Sequence, residues 1–203
     1  MTVVSNESES SVTDDVGVPV LCIRLNESFD EIVSLNPGIR IEQNASGEVI
    51  FMPPTGGESG CRNSDICMQL SLWAKANGGR TFDSSTLFRL PNGAKRSPDA
   101  SWVNDERWIS LSKEERRGYP PLCPDFVVEL RSDSDRLSEL QDKMREYVEN
   151  GIQLGWLIDP LMKTVHVYKP GQLTEIQSAP ESISGQNCLP GFVMNLKLIW
   201  SLD

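Results

Sequence analysis

The feature that most constrains how this chain can fold is a short apolar run that ends in charge. Residues 126–128 read Phe-Val-Val, and their apolar, β-branched composition predicts a buried strand. Glu129 follows this run directly, and Arg131 comes two residues later. A carboxylate at the end of a buried strand costs several kcal/mol of folding free energy unless a metal ion, a proton or a cationic partner compensates it. The first question that the sequence raises is therefore which of these compensates the charge of Glu129.

A second acid enters a predicted strand in the same way. Asp99 follows a Ser-Pro dipeptide and precedes residues 100–103, Ala-Ser-Trp-Val, which read as another strand. Two carboxylates from two strands of one sheet suit a single divalent cation such as Mg²⁺, because hard cations prefer oxygen ligands. The structural alternative is that Asp99 caps a turn and that Glu129 forms an ion pair.

Two cations are candidates for the positive charge that such a site needs. Arg131 points to the same face of the strand as Glu129, so it is either the cationic partner in the site or the ion-pair mate that makes a buried Glu129 tolerable. Arginine is poorly suited to proton transfer because it stays charged. Lys143 flanks the apolar stripe of a helix predicted over residues 135–149, from which it either reaches the site or extends into solvent.

Glu58 is a further acidic candidate. It opens a helix predicted over residues 58–76, directly after a Gly-Gly connector. An acid at that position is favoured by the helix dipole alone. The functional alternative is that Glu58 supplies a third acidic group near the metal ion.

The order of the predicted elements points to a mixed sheet. A strand, a helix and a strand follow one another after residue 126, which predicts a crossover unit with helices packed on the sheet. Strands predicted over residues 39–42 and 48–52 add β-structure on the N-terminal side, and the chain after residue 170 reads as β-structure and loops. The predicted fold class is α/β or α+β.

Length and charge bound the domain organisation. The chain has 203 residues and a net charge of −10. Residues 1–18 are polar and acidic and are predicted to form a disordered tail, and residues 19–203 are predicted to form one domain. The four acids of the tail leave about −6 for the domain, which argues against nucleic-acid binding driven by bulk charge but not against a local basic groove.

Several classes of protein are disfavoured by what the sequence contains. No apolar run has the length of a membrane span, and the N-terminus lacks the basic region of a secretory signal, which predicts a cytoplasmic protein. The five cysteines form no CxxC pair, so a zinc ribbon is not expected and reduced thiols are. The lone histidine, His166, alternates with two valines on a predicted strand, which favours a structural role.

The combined motifs resemble the Uma family of restriction endonucleases, a bacterial branch of the PD-(D/E)xK nuclease superfamily. The resemblance covers about residues 25–170 in consistent order. The matching runs are Met-Pro-Pro-Thr-Gly-Gly-Glu at 52–58, Ser-Pro-Asp-Ala-Ser-Trp-Val at 97–103, Pro-Asp-Phe-Val-Val-Glu-Leu-Arg-Ser at 124–132, Ser-Asp at 134–135, Lys-Met-Arg-Glu-Tyr at 143–147, Gly151, and Leu-Gly-Trp-Leu-Ile-Asp-Pro at 154–160.

The resemblance implies a restriction-endonuclease-like fold, with a four- or five-stranded mixed sheet flanked by helices and additional N-terminal β-structure. It implies hydrolysis of phosphodiester bonds in DNA with Mg²⁺, or with Mn²⁺ in its place. Asp99 matches the aspartate of the superfamily motif, Glu129 the following acid, and Glu58 an acid that some members carry on the first helix. The superfamily lysine normally stands where this chain has Arg131, but the resemblance to this family implies that the lysine comes from the following helix, which matches Lys143.

The leading hypothesis is therefore a metal-dependent DNA endonuclease. Asp99 and Glu129 hold the ion, Lys143 orients or activates the attacking water, and Glu58 and Arg131 support the site. A homodimer is expected by analogy, because cutting both strands of a duplex favours two-fold symmetry. One rival hypothesis is a non-catalytic interaction or regulatory module that keeps the nuclease fold, and a second is hydrolysis of another phosphate ester.

Overall fold

The computed structural model describes residues 28–201. The predicted acidic tail, residues 1–18, lies outside the described residues, and the single domain over residues 19–203 stays a prediction. The described chain contains six helices: α1 (Phe29–Leu35), α2 (Gly57–Asn77), α3 (Asp105–Ser110), α4 (Lys113–Arg117), α5 (Leu137–Glu149) and α6 (Lys197–Trp200).

Twelve strands accompany these helices in the described chain. The strands are β1 (Arg40–Gln43), β2 (Val49–Met52), β3 (Arg80–Asp83), β4 (Phe88–Arg89), β5 (Lys95–Arg96), β6 (Ala100–Val103), β7 (Phe126–Leu130), β8 (Leu154–Asp159), β9 (Thr164–Tyr168), β10 (Glu175–Ser178), β11 (Ser182–Ser184) and β12 (Val193–Asn195). The predicted mixture of helices and strands is thus confirmed.

The central sheet has six strands in the order β10-β9-β8-β7-β6-β3. β7 and β8 are parallel and are joined through α5, whereas the other neighbours in this sheet are antiparallel. This confirms the predicted crossover unit and the mixed sheet. The sheet is larger than the four or five strands that the resemblance implies, because β10 pairs with β9 and extends the edge.

Two smaller sheets flank the central one. β2, β1, β5 and β4 form a four-stranded antiparallel sheet near the N-terminal side, and β11 pairs with β12 near the other end. They correspond to the β-structure predicted on both sides of the nuclease-like core. We call the four-stranded assembly the N-terminal sheet.

The core lies on both faces of the central sheet. Phe126 and Val128 pack into a cluster on one face, and Val127 packs with Met144 and Tyr147 of α5 on the other. Side chains along a strand alternate between faces. Glu129 therefore lies on the face that α5 covers, although its sequence neighbours on either side face away from the helix.

Local signals explain several boundaries. Ser28 and Glu31 form the predicted capping box at the start of α1. The predicted turn of helix around residues 112–117 is α4, whereas α3 was not predicted because its six residues bury no apolar face. The four cysteines in the described chain are free thiols. No helix within residues 28–201 combines the length and the hydropathy needed to cross a membrane.

Candidate active site

Asp99 and Glu129 come together where the start of β6 lies beside the end of β7. Ala100 of β6 is paired with Val128 of β7, so the two acids stand one residue beyond this pair on adjacent strands. The backbone N–H of Leu130 donates to Oδ2 of Asp99 at 2.9 Å. Residues directly opposite one another on antiparallel strands have Cβ atoms about 5 Å apart. Both acids line one cavity of about 270 Å³, which Lys143 also lines.

Glu129 is held on one oxygen and left open on the other. The Lys143 ammonium lies 2.9 Å from Oε1, and the hydroxyl of Tyr147 donates to the same oxygen at 2.9 Å. Within the described chain, no hydrogen bond to Oε2 is found. The side chain is almost fully buried, and burial raises the pKa of Glu129 to about 7, with the nearby charge of Asp99 adding to the effect and Lys143 opposing it.

Asp99 is only partly enclosed and faces the cavity. Burial raises its pKa despite the hydrogen bond from Leu130, and the amide of Asn63 approaches Oδ1 at 3.4 Å. Both acids are therefore disfavoured as anions in the protein alone. A cation between them would relieve this cost, because an opposite charge within a few ångströms favours the ionised carboxylate.

Lys143 is buried rather than extended into solvent. It lies one helical turn before Tyr147, so both side chains of α5 meet Glu129 on the same helix face. Burial acts to lower the pKa of Lys143, but the carboxylates of Glu129 and Glu42 together raise it above its ordinary value. The ammonium consequently stays charged, which suits it to orient an anion or a water molecule and not to remove a proton.

Glu42 of β1 is a site neighbour that sequence reasoning missed. Its Oε1 accepts from Lys143 at 2.9 Å and from the backbone N–H of Ser97 at 2.8 Å, and its Oε2 accepts from Arg96 at 3.2 Å. In the sequence, Glu42 alternates with Ile41, which is the pattern of an exposed strand position. The structure buries both residues, and Lys143 of α5 and Arg96 of β5 pair with the Glu42 carboxylate.

Tyr147 was missed for a different reason. Its apolar ring fits the hydrophobic stripe of α5, and the sequence therefore indicated a core residue. The fully buried ring does pack in the core, but its hydroxyl reaches Glu129. The only sequence signal was that tyrosine, unlike phenylalanine, brings a polar atom that needs a partner when buried.

The structure places the other two predicted site residues outside the cavity wall. The Glu58 side chain is 74% exposed and pairs with Arg62 at 3.1 Å, one turn along α2. Arg131 pairs at 2.8 Å with Asp159, a buried acid at the end of β8. Strand alternation would put Arg131 beside Glu129, but β7 ends at Leu130 and the arginine turns to the neighbouring strand.

The donor set fits a hard divalent cation. Within residues 28–201, no cluster of three or more histidine, cysteine, aspartate or glutamate side chains forms a ready-made metal cage. Mg²⁺ commonly uses one or two carboxylates and keeps several water molecules or substrate oxygens as its other ligands. Asp99 and Glu129 offer that arrangement, with Oε2 of Glu129 unengaged and both acids facing the cavity.

The comparisons with known proteins agree with this geometry. A family model described as "Uma2: Putative restriction endonuclease" matches residues 27–197. A crystal structure from Anabaena variabilis ATCC 29413, described as a putative nuclease belonging to DUF820, superposes with a TM-score of 0.67 at 22% identity, covering 79% of this chain and 89% of that one. This similarity confirms the restriction-endonuclease-like fold.

A cryo-EM structure described as a DrdV–DNA complex is more distant, with a TM-score of 0.40 and 15% identity. It covers 62% of this chain and 10% of that one, and the likeness is too low to support an argument. No match was found among curated proteins.

Proposed function

The chain belongs to the Uma2 family, and we propose that it is a divalent-metal-dependent endonuclease that hydrolyses phosphodiester bonds in DNA. The family assignment supports a nuclease function. The observation that carries the metal-dependent mechanism is the meeting of Asp99, Glu129 and the charged Lys143 at one cavity. Mg²⁺ is the proposed ion, and Mn²⁺ is proposed to replace it.

Asp99 and Glu129 are the proposed ligands. Each presents an oxygen toward the cavity while a second contact fixes its orientation, from the Leu130 N–H for Asp99 and from Tyr147 and Lys143 for Glu129. A divalent ion, when bound there, polarises a phosphoryl oxygen and lowers the pKa of a bound water molecule. The two side chains thus set where the ion can lie, because neither is free to turn away.

Lys143 is proposed to act electrostatically. Its ammonium is held beside Glu129 and keeps its proton, so it can stabilise negative charge that develops on the phosphoryl group or orient the attacking water. The Arg131 position that the superfamily uses for lysine is engaged by Asp159 in this chain. Lys143 is therefore favoured over Arg131 as the cation of the proposed site because of the contacts that the two residues make, and not because of their distance from Glu129 in the sequence.

The DNA substrate rests on the family assignment, since the overall charge of the chain is negative. Arg40 lines the same cavity as Lys143 and offers a second cation to a phosphate that enters it. A homodimer belongs to the same proposal, because two-fold symmetry favours the cutting of both strands of a duplex. A cytoplasmic location is proposed with the DNA substrate. Sedimentation of the purified protein with and without a DNA duplex measures the oligomeric state.

The proposal is tested by cleavage of supercoiled plasmid DNA. We expect nicked and linear products in Mg²⁺ or Mn²⁺, none in excess chelator, and none from Asp99→Asn. The matched control is Asp142→Asn, which makes the same charge change at an exposed residue of α5 that pairs with Arg145. It should cleave like the wild type.

The rival hypothesis of a non-catalytic module makes the opposite prediction. Wild-type protein would leave plasmid DNA intact in either metal, and Mg²⁺ would raise the melting temperature of wild type and Asp99→Asn equally or not at all. That combined result would contradict the nuclease proposal. Cleavage of a small phosphate ester with intact plasmid DNA would favour the second rival hypothesis.

A further inference from the structure

Glu42 of β1 is the second carboxylate that contacts Lys143. Lys143 bridges two carboxylates, with its ammonium 2.9 Å from Oε1 of Glu129 and 2.9 Å from Oε1 of Glu42. Glu129 lines the cavity and Glu42 does not. The ammonium therefore forms ion pairs with one acid of the proposed metal site and with one acid of the N-terminal sheet.

The contacts of Glu42 distinguish it from a metal ligand. Both of its oxygens are engaged by donors, namely Lys143 and the Ser97 N–H on Oε1 and Arg96 on Oε2. Burial acts to raise the pKa of Glu42, but the two adjacent cations lower it below its ordinary value, so the carboxylate stays ionised. An ionised acid surrounded by donors and enclosed at 2% exposure is suited to hold a neighbour in place.

The ion pair with Glu42 matters most for the position of the Lys143 ammonium when a divalent ion is bound at the proposed site. Lysine has a long flexible stem and a compact charge, so one ion pair leaves it several rotamers. When the charge of Glu129 is shared with a divalent ion, its attraction for the ammonium decreases. Glu42 does not line the cavity and is not a proposed ligand of the ion, so it keeps its charge for the ammonium.

We propose that Glu42 is a positioning residue that holds the ammonium of Lys143 at the cavity, which makes the N-terminal sheet part of the active site. This inference rests on the proposed function. It predicts that loss of the Glu42 charge lowers kcat while the KM for DNA is retained, because Glu42 itself does not face the cavity.

The first readout does not depend on activity or on metal. In metal-free protein, amine acetylation by a hydroxysuccinimide ester is followed for Lys143 and for the exposed Lys75 by peptide mass spectrometry. We expect Lys143 to react much more slowly than Lys75 in the wild type and several-fold faster in Glu42→Gln than in the wild type. Unchanged reactivity of Lys143 in Glu42→Gln would overturn the inference.

The matched control is Glu146→Gln. Glu146 accepts from Arg96 at 2.6 Å, as Glu42 does at 3.2 Å, but within residues 28–201 it forms no hydrogen bond or ion pair with Lys143. If Glu42 acted only by fixing Arg96 and the fold, the two variants would behave alike. We expect only Glu42→Gln to release Lys143 and to lower kcat for plasmid cleavage, by about tenfold or more, in the range of residues that orient a catalytic group.

Failure of the inference and failure of the proposed function give different results. A wild-type protein that cleaves DNA, with an unchanged kcat in Glu42→Gln, overturns the inference alone. A wild-type protein without metal-dependent cleavage overturns the proposed function and this inference with it, whatever the labelling shows. If Glu42→Gln does not fold, Glu42→Asp replaces it, because the charge remains but withdraws by one methylene, and an unchanged kcat and labelling rate would again contradict the inference.

Discussion

The two ends of β7 carry buried acids with opposite surroundings. Asp125 precedes the strand and receives four donors, with Asn104 giving two to Oδ2 and Arg107 and Gln153 giving one each to Oδ1. Glu129 stands at the other end, and its donors, Lys143 and Tyr147, share one oxygen. Asp125 is enclosed at 1% exposure, whereas Glu129 is also nearly buried but lines a cavity.

The comparison separates a structural acid from a candidate functional one. Four donors satisfy both oxygens of Asp125, so its charge ties α3 and the start of β8 to the strand. Burial raises the pKa of Glu129, and the charge of Lys143 only partly offsets this effect. Burial alone does not distinguish the two ends. What distinguishes them is whether an oxygen remains open toward a space that a ligand can enter.

The largest expected effect is at the cavity end. Glu129→Gln should reduce kcat for plasmid cleavage by about 10³-fold, equivalent to about 4 kcal/mol of transition-state stabilisation, because it removes a ligand of the proposed ion. The fold should persist, since glutamine keeps an acceptor for Tyr147. Steady-state cleavage and far-ultraviolet circular dichroism measure the two effects. Full activity in this variant would remove Glu129 from the site.

At the Asp125 end of β7, a substitution should lower stability and leave cleavage unchanged. Asp125→Asn places an amide N–H₂ against donors from Asn104 or Arg107, so the free energy of unfolding should fall by about 3 kcal/mol, as for a broken buried ion pair. Cleavage per folded molecule should be unchanged. Urea unfolding and a cleavage assay well below the melting temperature measure this. A variant that is stable but inactive would contradict the structural role of Asp125.

The roles of Lys143 and Arg131 can be distinguished by the same comparison of kcat with the free energy of unfolding. Lys143→Met should lower kcat by about 10²-fold, the size of effect expected when a preorganised charge is removed from a reacting centre. Arg131→Met should leave kcat unchanged and lower the free energy of unfolding, because the buried Asp159 loses its cation. Comparison of kcat and urea midpoints for the two variants checks this. Loss of kcat in Arg131→Met alone would favour the usual superfamily position.

The raised pKa of Glu129 predicts a pH effect on the metal-free protein. Between about pH 4.5 and about pH 7, the unfolded chain has released the Glu129 proton while the folded chain keeps it. The contribution of Glu129 to the free energy of unfolding therefore falls as the pH rises through this window and changes no further above it. Glu129→Gln lacks this contribution, so its stability relative to the wild type should increase from pH 4.5 to pH 7. Melting curves in chelator measure it, and a constant difference would contradict the raised pKa.

The smallest effect is expected outside the cavity. Glu58→Gln removes one side of an exposed i,i+4 pair with Arg62, which contributes about 0.5 kcal/mol or less. The melting temperature should change little, and kcat should stay at the wild-type value. A strong loss of kcat would mean that the start of α2 moves into the site when DNA binds, and would restore the role expected from the sequence.

The sequence was most informative where charge interrupts an apolar strand. The meeting of Asp99 and Glu129 could be predicted because a carboxylate at the end of a buried strand has few explanations. The β7–α5–β8 crossover could likewise be predicted from the order strand, helix, strand. Helices α3 and α6 and the edge strand β10 are too short or too exposed to leave a periodic signal.

Pairing across elements is what the sequence could not provide. Pro98-Asp99 and Pro124-Asp125 are the same dipeptide before a strand, yet one acid faces the cavity and the other is enclosed by donors. Lys143 could be placed only on a flank of its helix. Its two carboxylate partners come from β7 and from β1, and the contact with Glu42 spans 101 residues of chain. Contacts over such separations depend on how the N-terminal sheet packs against α5.

The central claim is that Asp99 and Glu129 share one divalent ion, and crystals soaked in Mn²⁺ test it most directly. The anomalous difference map should show one peak between the two carboxylates, with metal–oxygen distances of about 2.1 Å, and the same soak of Asp99→Asn crystals should lose it. The Asp125 end of β7 should show no peak in either crystal. A well-occupied ion elsewhere on the protein, with none between Asp99 and Glu129, would contradict the account.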